Sequence, residues 1–66
     1  MAGADIQEVL EEMVRLSSSL WVNVECRFNE IAVHVYARPE ISQSTRVKQG
    51  VADYHKVLGT RHGIYI

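Results

Sequence analysis

Residues 21–38 read Trp-Val-Asn-Val-Glu-Cys-Arg-Phe-Asn-Glu-Ile-Ala-Val-His-Val-Tyr-Ala-Arg. Two alternating runs flank Asn29-Glu30, the pattern of a β-hairpin closed by a two-residue loop. That loop length fixes a register. Phe28 faces Ile31, Cys26 faces Val33, Val24 faces Val35 and Val22 faces Ala37, so one face is wholly apolar. The other face pairs Arg27 with Ala32, Glu25 with His34, Asn23 with Tyr36 and Trp21 with Arg38. A slip of one residue would set Cys26 against His34 and mix the faces, so a single register is specified.

Upstream, Ile6, Val9, Leu10, Met13 and Leu16 recur at helical spacing, with Leu20 beyond them. They predict a helix from about Ile6 to Ser17. Asp5 is positioned as its N-cap, and Glu8 three residues later completes a variant of the capping box. Glu11 and Arg15 stand four apart in the favourable order. Ser17-Ser18-Ser19 offers side-chain competitors for backbone hydrogen bonds and is expected to end the helix.

Downstream, Arg38-Pro39 stops the strand, because proline lacks an N–H and biases its predecessor to extended backbone. A second helix is expected from Ser44 as N-cap through Leu58, with Val47, Val51, Tyr54 and Leu58 as its stripe and Val57 at the edge. Gly59 sits where a left-handed glycine ends a helix. Gly50, inside that helix, costs up to ~1 kcal/mol against alanine; a close approach to the hairpin or the first helix would explain it, and so would simple tolerance. The closing run Gly63-Ile64-Tyr65-Ile66 is apolar and β-type. It serves either as a short third strand on a hairpin edge or as a docking segment for a partner.

A hairpin alone is marginal in water, so the two amphipathic helices must cover its apolar face. The expected fold is α+β, a two-layer α-β-β-α arrangement with a short C-terminal extended segment, in one domain of 66 residues. At this length only about 60% of the unfolded surface is buried, so the core is thin. An exposed hairpin edge beside so small a core is compatible with a homodimer.

The net charge of −1 is unevenly spread: residues 1–33 carry −4 and residues 34–66 carry +3. The single cysteine, Cys26, allows no internal disulfide and lies on the apolar hairpin face, where it reads as core. A reducing, cytoplasmic setting is the expectation. No apolar run approaches the roughly 20 residues that span a bilayer, and the acidic start is unlike a signal peptide.

The chemistry-bearing residues form no catalytic motif. His34, His55 and His62 lack metal-ligand spacing, and one cysteine cannot complete a zinc cluster. Cys26 and His34 point to opposite hairpin faces, which rules out a thiol–imidazole pair. Glu25 and His34 share a face, as a modest cross-strand contact. The residues call for no cofactor and no metal, and the reading is not an enzyme. Arg46, Lys48, Lys56, Arg61 and His62, with Tyr54 and Tyr65, form a candidate nucleic-acid patch, but the overall charge lacks the positive excess of such binders.

Protein binding fits the inventory best. Trp21, Arg27, Tyr36 and Arg38 on the outer hairpin face are of the types enriched at interface hot spots, and Trp21 opposite Arg38 suggests a cation–π pair. Glu8, Glu11 and Glu12, with Asp5, offer an acidic face for a basic groove.

The order helix, hairpin, helix and the closing Gly63-Ile64-Tyr65-Ile66 resemble the small head-to-tail joining proteins of lambda-type phages. In that family the apolar tail and the basic residues before it serve assembly of the head–tail connector. The resemblance implies such a role for Arg61, His62, Ile64, Tyr65 and Ile66. This chain departs in being slightly acidic and in turning its hairpin with Asn-Glu rather than a glycine turn. In size and style it also resembles phage-encoded inhibitors of host defence, including anti-CRISPR proteins, which occlude a surface of a larger target. The expectation from sequence is a non-catalytic protein-interaction module of phage or mobile-element type. It would dock on and occlude a larger protein complex. The alternatives are a structural joining protein, then a small nucleic-acid-binding module.

Overall fold

The computed structural model describes residues 5–60 and 62–66. Its order is α1 (Ile6–Leu20), β1 (Val24–Phe28), β2 (Ile31–Val35), α2 (Gln43–Val57) and β3 (Ile64–Tyr65). The fold is α+β, with two helices and a three-stranded sheet ordered β1-β2-β3.

The hairpin pairs Phe28 with Ile31, Arg27 with Ala32, Cys26 with Val33, Glu25 with His34 and Val24 with Val35, the register that alternation specifies. Asn29 and Glu30 both take positive φ, 50° and 68°, as a two-residue hairpin turn of the primed type requires. Asn29 also donates from Nδ2 to Tyr54 Oη at 2.8 Å, tying the turn to α2.

The ladder stops earlier than the sequence predicts. Trp21, Val22 and Asn23 do not pair with Arg38, Ala37 and Tyr36. The cause is at α1, which runs through all three serines to Leu20 rather than ending at Ser17. Ser17 is fully buried, and tertiary packing of this turn outweighs the weak helix preference of serine. Trp21 then takes φ 56° as the left-handed cap. Asn23 replaces the missing ladder rung with its side chain, Oδ1 accepting from Ala37 N at 3.1 Å.

α1 starts as its sequence indicates: Asp5 Oδ1 accepts from Glu8 N at 2.8 Å. Its buried stripe is Ile6, Leu10, Met13, Val14 and Ser17, slightly rotated from the predicted one. Val14 is fully buried, whereas Leu16 is half-buried and Leu20 exposed. Arg15 pairs with Glu12 rather than Glu11, its Nε donating to Oε2 at 3.3 Å. The exposed position of this pair makes it a minor contribution.

α2 is capped by Ser42, not Ser44. Ser42 Oγ accepts from Thr45 N at 3.3 Å, and its hydroxyl lies 2.7 Å from Thr45 Oγ1. Val47 and Tyr54 are buried and Val51 and Val57 half-buried, but Leu58 falls beyond the last helical residue and stays outside the core. Gly59 has φ 82°, the left-handed conformation expected of a helix-terminating glycine.

The closing run is a third strand. Ile64 and Tyr65 pair in parallel with Val33 and His34 of β2, and Ile66 N and O bond to His34 O and Tyr36 N at 2.9 and 2.7 Å. β2 is thereby the central strand. Ile31, Val33 and Val35 are all buried, while Val24, Cys26 and Phe28 on the edge strand β1 are half-buried. Ile64 and Ile66 join Leu10, Val14, Val33 and Val35 in the core. Gly50 marks the closest approach: a Cβ there would lie 2.8 Å from Leu10 Cδ1 and 2.9 Å from Ile66 Cδ1. The close approach thus involves the first helix and the tail strand as well.

Candidate functional site

With both helices on one side of the sheet, the residues at alternate strand positions face the other side. Glu25, Arg27, Ala32, His34 and Tyr65 lie there by register, and all are exposed or half-buried. The central feature is His34. Its ring stacks on Tyr65 with centroids 4.6 Å apart and planes 8° from parallel. Its Nδ1 lies 3.1 Å from Glu25 Oε2. Three strands thus each supply one member of an ordered cluster on an open face.

Tyr36 and Arg38 adjoin this face. Arg38 lies over the Tyr36 ring, Cζ to centroid 5.8 Å, within cation–π range. The pairing expected between Trp21 and Arg38 is therefore replaced, because Trp21 is the cap of α1 and has no place in the ladder.

Trp21 lies instead in a run of three consecutive exposed apolar residues. Leu20 is 63%, Trp21 69% and Val22 45% exposed. Scattered exposed hydrophobics are ordinary, but here three consecutive ones, the last residue of α1 and the two that follow it, form a local patch. Sequence reasoning placed Trp21 and Val22 on a strand and Leu20 on the helix stripe, and so missed the patch as a unit. The signal was present as Leu-Trp-Val directly after a serine triplet.

Glu8, Glu11 and Glu12 are all exposed on α1, with Glu12 engaged by Arg15. Arg27 and Arg38 are exposed. Ile64 and Ile66 are buried, so of the tail only Tyr65 presents its side chain outward. His62 is exposed, and Arg61 lies outside the described residues. Of the other residues of the candidate basic patch, Lys48 and Lys56 are exposed on α2, whereas Arg46 and Tyr54 are buried.

Arg46 was not singled out from the sequence for what it proves to be. It is only 3% exposed, on the helix side of the sheet. Its Nη2 donates to the main-chain oxygens of Tyr36 and, at 3.1 Å, of Ile66. It thereby clamps the end of β2 to the tail strand. Burial lowers the basicity of this guanidinium, the charge of Arg38 lowers it further and that of Glu40 works in the opposite sense.

Cys26 lies 3.4 Å from Met13 Sδ between β1 and α1. Burial pushes its thiol pKa up, so it stays protonated, the opposite of a reactive cysteine. Among the described residues, no group of three or more His, Cys, Asp or Glu converges as a metal site, and no helix is long and apolar enough to cross a membrane.

No protein-family model, no curated protein and no solved structure matches this chain.

Proposed function

We propose that this chain is a non-catalytic protein-interaction module that docks on a larger protein complex, with the Leu20-Trp21-Val22 turn as its anchor. The carrying observation is the exposed tryptophan in a left-handed backbone conformation. A left-handed conformation costs a residue with a Cβ about 1–2 kcal/mol, and glycine is the residue that avoids it. A bulky ring held there, with most of its surface in water, contributes little packing in return. Strained backbone clusters at functional sites, and exposed apolar surface beside it supports recognition as that function. Tryptophan is also the side chain most often dominant in binding energy when a partner desolvates it.

The finer reading is occlusion of a surface on the larger complex, in the manner of the small phage inhibitors that the chain resembles. The joining-protein reading needs the closing run as an assembly segment. In this fold Ile64 and Ile66 are committed to the core, which leaves that reading only Tyr65 and the residues before it.

Affinity capture with the wild-type chain and with Trp21→Gly tests the proposal. Glycine suits the backbone conformation, so the variant stays folded and loses only the ring. A protein recovered with wild type and lost with Trp21→Gly supports the anchor. Equal recovery on both, or no stable partner on either, overturns it. Fluorescence of Trp21, the only tryptophan, reports burial directly, through a blue shift on adding the recovered partner.

A further inference from the structure

The sheet ends in β1 on one side and β3 on the other. β3 spans two residues, whereas β1 spans five, with no proline, lysine or bulge among them. Those are the usual devices that stop an edge strand from pairing. The outward direction of the β1 backbone follows from the tail. Ile66 N donates to His34 O, so the main chain of His34 points to β3 and away from β1. Glu25 and His34 are therefore a non-hydrogen-bonded pair of the hairpin, and Cys26–Val33 and Phe28–Ile31 are bonded ones, as a two-residue loop also requires. The N–H and C=O groups of Glu25 and Arg27 accordingly project from the free edge. Among the described residues no other main-chain group bonds to them.

This edge is complementary to itself. Two-fold symmetry makes the pairing of two β1 strands antiparallel, and only residues whose groups face the edge form its bonded pairs. Within β1 that leaves Glu25 against Glu25, Arg27 against Arg27, or Glu25 against Arg27. The first two oppose like charges, which is unfavourable. The third centres the axis on Cys26. Glu25 then meets Arg27 of the second copy on the polar face, and symmetry repeats the contact. On the apolar face Cys26 meets Cys26 of the second copy, and Val24 meets Phe28. Arg27 has no ion-pair partner among the described residues, and Glu25, although against His34, keeps 67% of its side chain exposed. Val24, Cys26 and Phe28 are half-buried where Ile31, Val33 and Val35 are buried, so the helices leave apolar surface along this edge.

We propose that β1 is a self-association edge, through which two copies of this chain join their sheets about an axis at Cys26. Main-chain bonds at Glu25 and Arg27 hold the two strands, and the crossed Glu25–Arg27 pairs select the register. The proposal goes beyond the docking reading and does not rest on it. Its test uses this chain alone, so its failure leaves the Trp21 anchor standing.

The test is sedimentation equilibrium over a concentration series, with backbone amide exchange followed at both ends of that series. Wild type should dimerise as concentration rises. Exchange should slow at the Glu25 and Arg27 amides, and less at Cys26, which is already bonded to Val33. Glu25→Lys and Arg27→Glu each turn an attractive contact, present twice, into a repulsive one, and each should weaken the dimer by about tenfold or more. Both positions are exposed, so the fold tolerates the changes. The double variant restores opposite charges and should return close to wild type. The two single variants, mixed, should pair with each other better than either pairs with itself. A chain that stays monomeric throughout, or a dimer indifferent to the single reversals, overturns the proposal. So does a double variant as weak as the singles, since the two charges would then not face each other. Protection of the Glu25 and Arg27 amides that appears in a monomer only on adding another protein assigns the edge to a foreign strand and overturns self-association.

Discussion

The two helices differ most in how the chain leaves them. Each has 15 residues and a side-chain oxygen at its N-cap, and each is followed by a left-handed residue beside an exposed leucine. After α2 that residue is Gly59, with φ 82°. A Cβ added there would meet nothing within 4 Å, so glycine serves the backbone alone. After α1 the residue is Trp21, with φ 56°. The same geometry is met once by the residue physics prefers and once by one of the least suited. Stability alone would place glycine or asparagine at both exits. The difference is that the α1 exit has a left-handed residue with a large exposed side chain where the α2 exit has none, and the proposed docking role is what would account for it.

The contrast presumes that helix exits are small terms beside the core. Leu10→Ala tests this with the largest expected effect. Leu10 is fully buried and touches the space that Gly50 leaves open. The loss should be about 2–5 kcal/mol, against a total of only about 3–10 kcal/mol for a domain of this size. Urea denaturation should show a largely or wholly unfolded variant. A loss under about 1 kcal/mol would mean that the core under β2 does not dominate stability, which would break the comparison.

Gly59→Ala comes next. With open space around the new methyl group, the cost is backbone strain, about 1–2 kcal/mol. The urea midpoint should fall with no change in slope. An unchanged midpoint would mean that left-handed backbone is free in this chain, and Trp21 would then need no explanation. Trp21→Gly is the mirror experiment. Removing the strained residue should raise stability by about 1 kcal/mol, even though a large side chain is deleted. A loss of stability would show that the ring packs usefully on its own chain and would remove the physical basis for the anchor.

These positions also show what is legible in a sequence. The hairpin register was readable because alternation and a two-residue loop are local, and any slip inverts every side chain. The α1 cap was readable for the same reason, Asp5 and Glu8 being three residues apart. The extension of α1 to Leu20 was not, since it turns on burial of Ser17, a tertiary effect that overrides propensity. With that extension went the placement of Trp21, and with Trp21 its supposed contact to Arg38. Arg46 was illegible for a different reason. Nothing in its neighbourhood along the chain distinguishes it from Lys48. Its burial depends on Tyr36 and Ile66, ten and twenty residues away. The tail could be narrowed to strand or docking segment, but its parallel pairing with β2 depends on where α2 delivers the chain.

Glu30→Gly supplies the smallest effect and the sharpest control on the comparison. Glu30 also holds a left-handed conformation, φ 68°, and it does so in a turn where Asn-Gly is the favoured pair. Its side chain is exposed and not branched at Cβ, so its strain should lie at the low end of the left-handed cost, about 1 kcal/mol or less. Bulky residues suffer more at positive φ, so Trp21→Gly should gain more than Glu30→Gly when the two are measured in the same urea series. The hydrogen bond from Asn29 to Tyr54 Oη keeps the turn in place in the variant, so the difference reports the backbone and not a shifted register. If the two gains are equal, Trp21 is strained no more than an ordinary turn residue. The anchor would then rest on the exposure of Leu20, Trp21 and Val22 alone. If Trp21 gains clearly more, the α1 exit holds a stability penalty that only its exposed ring can account for.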